Sequence, residues 1–463
     1  MIRKCVFAFR THPRTNSPRF SASEYKKTLL ILLSLGIILR VYFAYAIPPF
    51  TGNDEPAHLR YAQHILAEKK LPNATLYRDE SLAGNEYFQP PLYYLLGSLL
   101  IRGANEPINQ LQILRTASII LWIIAFYFTY KIVLLIKLPA IYATSTLAFS
   151  ALLPTYVANS STVTNDALAI PIVIVALYFV LSSPAKKFTI LKLIFFAGLS
   201  ALTILTKLSG LIIMPAVLLL IFYEQKKLNY QLMLKLTVFG LFTLLFTSWW
   251  FFYNLLTYNH LLGPLEASTA PFTQVPFSIY KIYLLIRGAF ATFWASYGPA
   301  NEIRLPANVY LMLFLLTIYA SLGIVLYLKK IIAKKAKMIT NNKSALILSI
   351  ALITNIALFL IFNINQHQPL GRYLYPSLIQ ISLVFSTGLY FLTPKAVRGY
   401  VPGFLILGLL TLNIWGAITL SNFYNGLAEN FAIYGENKCQ TATYFSSTRE
   451  KYGFSAIRCK LER

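Results

Sequence analysis

Two adjacent carboxylates are the first feature of this sequence that could perform chemistry. The segment "IPPFTGNDEPAH" places Asp54 and Glu55 directly after an apolar run. Carboxylates held at such a boundary can accept a proton from a hydroxyl or hold a divalent cation. Alternatively, Asn53 or Asp54 only caps a helix whose first turn contains Glu55 and Pro56. Both interpretations predict a helix from this point to about Lys69.

A second acid and an isolated lysine occur further along the chain. Asp166 is the only charged residue in "NSSTVTNDALA", where Asn165 and Asp166 could also cap a helix. Lys207 lies in "LTKLSGL", between two apolar runs. A lysine there is costly unless its ammonium reaches water, a phosphate or a carboxylate, so it is a functional candidate. The alternative is that Lys207 snorkels to water from the tip of a helical hairpin.

Two arginines extend this set of cations. Arg372 lies in "NINQHQPLGRYLYPS", and a guanidinium is suited to binding a pair of phosphate oxygens. The alternative role for Arg372 is an anchor at the membrane interface. Arg40 lies too deep in the first apolar run for easy snorkelling, so we expect it to face the bundle interior, where it could pair with a buried acid.

The combination of separate acids and cations favours one class of chemistry. A lipid-phosphate sugar donor requires cations that stabilise the departing phosphate and a carboxylate that takes the proton of the attacking hydroxyl. Aromatic residues that follow the Pro90-Pro91 step, Tyr93 and Tyr94, suit either sugar binding or the membrane interface. His58 alone is a weak signal and is more typical of a packed or hydrogen-bonded residue.

Composition shows which elements must position these residues. Of 463 residues, 57% are apolar and 12% charged, and the mean hydropathy is +0.58, which is typical of an integral membrane protein. Runs close to the 20 or so apolar residues that span a bilayer recur along the chain, so we predict an all-α polytopic fold with about 11 transmembrane helices, within a range of 10 to 12. These runs are 29–47, 113–136, 140–158, 167–181, 193–206, 208–223, 236–256, 308–328, 344–363, 373–392 and 401–420.

The charged residues predict the orientation of the chain. With the N-terminus in the cytoplasm, 23 of the 41 Lys and Arg residues lie inside and 14 of the 16 acids lie outside. Because the basic residues alternate with apolar runs, they do not indicate nucleic-acid binding. We therefore expect a multi-pass protein of the cell membrane whose long loops and C-terminus are extracytoplasmic.

The predicted organisation has three parts. A basic cytoplasmic tail covers 1–28, the transmembrane domain covers 29–420, and a small extracytoplasmic tail covers 421–463. Two long loops, 48–112 and 257–307, carry aromatics, prolines and acids, and long loops of this kind are usually functional. Amphipathic interfacial helices are expected in the first loop, and 279–295 could form a further one. In the tail, only Cys439 and Cys459 could plausibly pair.

The order of these motifs resembles a known group of enzymes. "NDEPAH" after the first span, "QPPLYYL", "TNDALA", "TKLSGL" and a late "GRYLYP" look like the polytopic GT-C glycosyltransferases, in particular the protein O-mannosyltransferase and lipid A aminoarabinose transferase group. The likeness covers roughly residues 29 to 400. It implies a polyprenyl-phosphate sugar donor, a hydroxyl acceptor on a glycan, lipid or protein at the outer face, and inversion at the anomeric carbon.

The resemblance also implies roles for individual acids. Asp54 matches the catalytic base, Glu55 supports it or contacts the acceptor, and Asp166 matches the second outer acid of the family. Metal dependence varies in this superfamily, and the sequence contains no D-x-D motif, so a divalent metal remains open.

The cations follow in the same way. Lys207 and Arg372 are expected at the donor phosphate, and Arg40 is grouped with them, although the resemblance gives it no firm role. Some relatives have a basic residue where this chain has Gln89, so the chain departs from the family pattern in that loop. Candidates for contacts with the acceptor or the sugar are His58, Gln89, Tyr93 and Tyr373.

Two other classes of protein remain as alternatives. A transporter or flippase of a lipid-linked saccharide would also use aromatics and cations near a lipid headgroup, but it would place polar residues along a path through the membrane. A non-enzymatic subunit of an envelope complex has little need for intramembrane Lys207 and Arg40. The sequence favours the enzyme because its charges gather at the outer rim.

Overall fold

The computed structural model shows a chain that is almost entirely helical where it is described. It describes residues 22–73, 86–184, 188–225, 227–263, 278–298, 301, 303–333, 338–365, 367–434, 439–441 and 457–459. The α-helices in these ranges are α1 (Ala22–Ala46), α2 (Glu55–Glu68), α3 (Leu92–Leu100), α4 (Pro107–Leu135), α5 (Ala140–Leu152), α6 (Pro154–Asn159), α7 (Asp166–Ser182), α8 (Ile190–Thr206), α9 (Ile213–Gln225), α10 (Tyr230–Tyr258), α11 (Ile279–Trp294), α12 (Ala307–Ile332), α13 (Asn342–Asn365), α14 (Leu378–Leu392) and α15 (Val401–Tyr434).

Short elements connect or follow these helices. Four 3-10 helices cover Ile101–Gly103, Leu208–Ile212, Gly371–Ser377 and Arg398–Tyr400 in the described part of the chain. Two antiparallel pairs of strands are also present there: β1 (Ser296–Tyr297) with β2 (Ile303–Arg304), and β3 (Cys439–Thr441) with β4 (Ile457–Cys459).

The membrane-spanning pattern confirms a polytopic all-α protein. Eight helical segments of the described chain are long and apolar enough to cross a bilayer, and each predicted apolar run falls on a helix. Three of the eleven runs, 140–158, 167–181 and 193–206, correspond to helices shorter than a full span. For the first of these the reason is Pro154, which divides the run into α5 and α6.

Helix α5 lies at the centre of the bundle. Every residue from Ile141 to Leu152 is buried, and the helix packs against α1, α4, α14 and α15. Its sequence, "AIYATSTLAFSAL", is rich in Ala, Ser and Thr, whose small side chains let neighbouring helices approach closely in a membrane protein.

Arg40 stabilises the break at the end of α5. Because Pro154 has no N–H, the carbonyl of Ser150 lacks its helical donor. Arg40 Nη2 donates to Ser150 O at 3.4 Å and Nη1 donates to Ala151 O at 2.8 Å. Its guanidinium also lies 3.6 Å from the centroid of Trp122. The buried charge is therefore stabilised by carbonyl dipoles and an aromatic face, in place of the acid that the sequence suggested.

Helix α2 begins at Glu55, as predicted, and ends one residue before Lys69. One face of this helix, which includes Ala57, Tyr61 and Ala62, is buried. This face packs against α3, so the protein itself covers much of the surface that was expected to lie along the membrane. The first long loop thus folds back on the bundle and brings Asp54 to a fixed position.

Candidate functional site

Two ion pairs bring together the four charged residues on which the sequence analysis centred. Arg372 Nη2 donates to Asp54 Oδ2 at 3.0 Å, and Lys207 Nζ donates to Asp166 Oδ1 at 2.6 Å. The residues of the first pair are 318 positions apart in the sequence. The Asp54 side chain is 35% exposed, whereas that of Arg372 is 7% exposed, so the acid is the accessible partner.

Both pairs lie beside one aromatic ring. Lys207 Nζ is 5.1 Å from the centroid of the Tyr373 ring, and Arg372 Cζ is 5.7 Å from it. The Tyr373 hydroxyl donates to Gln368 Oε1 at 2.9 Å, which fixes the ring. The tyrosine therefore links two cations that come from distant parts of the chain.

The backbone of Asp54 explains why its side chain faces Arg372. Asp54 precedes α2 with φ 51° and ψ 13°, in the left-handed region, and its side chain makes no capping bond to the first turn. Asn53 is also occupied elsewhere, since its Nδ2 donates to Asn159 Oδ1 at 3.2 Å and to Asn301 Oδ1 at 3.4 Å. The helix-capping interpretation is therefore wrong for both residues, and the strained backbone aims Asp54 into the site.

Asp166 does not cap its helix either. It is the first residue of α7, Asn165 before it makes no side-chain cap, and Asp166 Oδ1 accepts from Lys207. Its second oxygen, Oδ2, is buried and has no hydrogen-bond partner among the described residues. Lys207 itself lies at the turn between α8 and the 3-10 helix, where the sequence predicted a hairpin tip.

The Glu55 side chain faces Arg115 and not Arg372, and it is fully buried. Arg115 Nε donates to Glu55 Oε1 at 2.9 Å, and Arg115 Nη2 donates to Oε2 at 2.6 Å, which makes a two-bonded pair. The backbone N–H of Val163 also donates to Oε1 at 2.9 Å. With both oxygens occupied and 0% exposure, Glu55 lies where it orients the loop and not where it would contact an acceptor.

Arg115 is a positioning residue that the sequence analysis missed. Its Nη1 donates to Ala44 O and Ile47 O at 2.6 and 2.9 Å, and its Nη2 donates to Pro48 O at 3.1 Å. It thereby connects the end of α1 to the loop that carries Asp54. A signal was present, because Arg115 lies within the apolar run 113–136 and an intramembrane arginine requires a partner.

Glycine allows the segment that carries Arg372 to approach α11. A Cβ on Gly371 would lie 2.2 Å from Ala289 O and 2.5 Å from Phe293 N, so a side chain cannot fit there. Arg372 is buried, and its Nε and Nη1 have no hydrogen-bond partner within the described ranges. The guanidinium therefore retains N–H groups that could donate hydrogen bonds to an anion.

A third acid, Glu86, lies beside Asp54. One ligand atom each from Asp54, His58 and Glu86 lie within 4.8 Å of one another. Burial lowers the pKa of His58 well below its ordinary value, and the charges of Lys207 and Arg372 lower it further. Burial, reinforced by Asp54, raises the pKa of Glu86 to about 8. Two carboxyl groups and a neutral imidazole are a set of ligands that suits a divalent metal.

Glu86 was also not predicted as a site residue, although it precedes Gln89 by three residues in the segment that returns to the membrane. Gln89 lies close to the acids, and its Oε1 accepts from Asn165 Nδ2 at 3.4 Å. At this position the chain thus has an amide and not a cation. This amide connects the first loop to α7.

The remaining candidates are packed inside the protein. His58 Nδ1 lies 2.8 Å from the Tyr94 hydroxyl, and the His58 and Tyr94 rings stack. Tyr93 is 6% exposed and packs edge-on against both rings. Arg40 lies apart from the two ion pairs and is held at the α5–α6 break by the bonds described above and by Ser160 Oγ at 2.8 Å.

Comparison with known proteins establishes the fold. No family model matches the sequence, and no curated protein matches it significantly. The structure is similar to apo ArnT from Cupriavidus metallidurans, with a TM-score of 0.50, 13% identity and coverage of 88% of this chain and 76% of that chain. It is also similar to the Archaeoglobus fulgidus oligosaccharyltransferase tethered with an acceptor peptide, with a TM-score of 0.52, 14% identity and coverage of 90% and 58%.

The same archaeal oligosaccharyltransferase in complex with Zn and sulfate gives a TM-score of 0.50 at 14% identity, over 88% of this chain and 55% of that chain. The chain thus spans a little over half the length of that enzyme. The chain has the fold of these two proteins, which confirms the polytopic all-α fold predicted from the sequence.

We predict that Glu55→Ala destabilises the protein by about 3–5 kcal/mol, because it leaves Arg115 as an unpaired buried charge. The midpoint of thermal unfolding in detergent measures this loss. Glu68→Ala is the matched control on the same helix: the Glu68 side chain is 53% exposed, and its contact with Lys70 is 3.7 Å long. An equal effect of the two substitutions would contradict the structural role of Glu55.

Proposed function

We propose that this chain is a membrane glycosyltransferase. It transfers a sugar from a polyprenyl-phosphate donor to a hydroxyl acceptor at the extracytoplasmic face, with inversion at the anomeric carbon. The observation that supports this best is the pair of ion pairs beside Tyr373, in which an accessible acid and two anion-binding cations meet in a GT-C fold.

Asp54 is the catalytic base in this proposal. Its carboxylate is the more exposed partner of its ion pair, so an acceptor hydroxyl can approach it. The hydroxyl loses its proton to Asp54 as its oxygen attacks the anomeric carbon, and the bond from that carbon to the phosphate oxygen breaks. A single displacement of this kind inverts the configuration. Glu55 and Arg115 hold the loop so that Asp54 keeps its position.

Arg372 and Lys207 stabilise the departing phosphate. Arg372 retains buried Nε and Nη1 hydrogens, and Lys207 uses one of its three donors for Asp166. Both cations are largely shielded from water, with side-chain exposures of 7% and 15%. Low exposure strengthens their attraction for the negative charge that develops on the phosphate as the glycosidic bond breaks.

The resting ion pairs make the donor compete with the acids. A phosphate that binds Lys207 competes with the carboxylate of Asp166. A phosphate that binds Arg372 competes with the carboxylate of Asp54. Donor binding therefore weakens the hold of Arg372 on Asp54 and leaves the oxygen that Arg372 held, Oδ2, able to accept a proton. Asp166 keeps Lys207 in place when no donor is bound.

A divalent metal fits the group formed by Asp54, His58 and Glu86. Their ligand atoms are close together, and the imidazole is neutral at physiological pH, which leaves a ring nitrogen for a metal. A bound metal would supply positive charge for the phosphate or the acceptor oxygen. We propose that these three residues hold such an ion.

A flippase for a lipid-linked saccharide is the second candidate. It would bind the same headgroup but would require polar groups along the whole transmembrane path. The charged pairs described above lie at one end of the bundle, and Arg40, which lies deeper, is engaged by carbonyls and Trp122. This distribution favours a transferase.

We predict that Asp54→Asn lowers transfer by about 10²–10⁴-fold and leaves the protein folded, because the amide cannot take the proton. Release of free polyprenyl phosphate from a labelled donor in reconstituted membranes measures the rate and also distinguishes a transferase from a flippase, which moves its substrate intact. Glu68→Gln is the control. Normal turnover by Asp54→Asn would remove Asp54 from the mechanism.

Substitutions in the Asp166–Lys207 pair should have opposite effects. We predict that Lys207→Met weakens binding of polyprenyl phosphate about tenfold or more, whereas Asp166→Asn tightens it, because the lysine loses its competing carboxylate. The dissociation constant of polyprenyl phosphate, measured in nanodiscs, tests both. If Asp166→Asn weakened binding as Lys207→Met does, Asp166 would be a contact for the headgroup and not its competitor.

Metal binding has a readout that does not depend on activity. After treatment with a chelator, we expect the purified protein to bind one Mn²⁺ ion, detected by the loss of the free-ion electron paramagnetic resonance signal. His58→Gln should weaken this binding by at least about tenfold, as loss of a ligand does. His260→Gln, which lies outside the group, is the control. Equal Mn²⁺ binding by both variants would exclude His58 as a ligand.

A further inference from the structure

The two cysteines of the C-terminal tail lie directly opposite each other. In the antiparallel pair of β3 and β4, Cys439 is opposite Cys459, followed by Gln440 opposite Arg458 and Thr441 opposite Ile457. The Cα atoms of two residues paired directly in this way are about 4.5 or 5.5 Å apart. Both distances fall within the range of about 4.4–6.8 Å that a disulfide requires.

The strands are too short to hold together on their own. Each has three residues, and residues 442–456 lie between them. An isolated two-stranded hairpin is marginal in water, and closing a connection of this length costs conformational entropy. The cysteines are the first residue of β3 and the last of β4, so a covalent bond between them would close the whole segment at its base.

The hairpin lies at the same end of the bundle as the candidate site. The Tyr424 hydroxyl in α15 donates to Thr51 Oγ1 at 2.9 Å, which places this part of α15 beside the loop before Asp54. Helix α15 continues to Tyr434, β3 begins five residues later, and both β3 and β4 pack against α15. The cysteines therefore lie on the side of the membrane at which the transfer reaction is proposed.

We propose that Cys439 and Cys459 form a disulfide, which joins β3 to β4 covalently beside α15. The two thiols lose two protons and two electrons, and an oxidising protein disulfide of the extracytoplasmic compartment is reduced to a dithiol by exchange. The placement of the hairpin outside the membrane rests on the orientation in the proposed function, whereas the bond itself does not depend on any transferase activity.

Peptide mapping of the full chain tests this proposal directly. The protein is expressed in a Gram-negative host, its free thiols are blocked with N-ethylmaleimide, and it is digested with trypsin without reduction. Cleavage after Lys438, Arg449, Arg458 and Lys460 yields the peptides 439–449 and 459–460. We expect these two peptides as one linked species that separates only on reduction. Recovery of both cysteines carrying maleimide would overturn the proposal.

A single substitution tests the compartment. In Cys439→Ser, Cys459 has no partner and should react with a membrane-impermeant maleimide added to the outside of the inner membrane. Cys5, in the basic N-terminal tail, should react only after that membrane is disrupted. If Cys459 also required disruption, the hairpin would be cytoplasmic and the proposal would fail. Loss of transfer in the Asp54→Asn variant leaves these results unchanged, so the two proposals are tested separately.

Discussion

The buried ion pair between Glu55 and Arg115 is the interaction on which the arrangement of the site depends. Taking both charges out of water is expensive, and only a well-formed two-bonded pair with additional backbone contacts offsets that cost. Those contacts are made to the end of α1, to the first long loop and to the segment before α7. The pair thus connects the elements that carry Asp54 and Asp166, which are distant in the sequence.

Three buried arginines illustrate three ways to accommodate charge in an apolar bundle. Arg115 pairs with a buried carboxylate, and Arg40 is held by backbone carbonyls and the face of Trp122. Arg372 has one partner, Asp54, and retains N–H groups without a partner in the described chain. Because an unsatisfied buried donor costs free energy, the incomplete set at Arg372 is the one that favours an incoming anion. Incomplete hydrogen bonding therefore distinguishes Arg372 from Arg40 and Arg115.

The site residues were predicted to different degrees, and particular residues show why. The order of Asp54, Asp166, Lys207 and Arg372 along the chain was enough to expect them at one face. The sequence could not show that Asp54 faces the site whereas Glu55 is buried. This difference depends on the left-handed backbone at Asp54 and on Arg115, which lies 60 residues from Glu55. Helix capping, a reasonable expectation from local sequence, failed at both acids because each side chain has a stronger partner in a distant segment. Glu86 and Arg115 were overlooked, although each is a charged residue that borders or interrupts an apolar segment.

The sequence by itself determined that the chain is a helical membrane protein, where its apolar helices lie and at which loops its acids gather. These properties follow from composition summed over windows of about 20 residues, in which each residue contributes nearly independently of the others. Only the tertiary structure decided which acid meets which cation, that Arg372 has N–H groups without a partner in the described chain, and that Cys439 lies opposite Cys459. Those pairings require two distant side chains within a few ångströms of each other, and such a distance is set by the packing of the whole bundle.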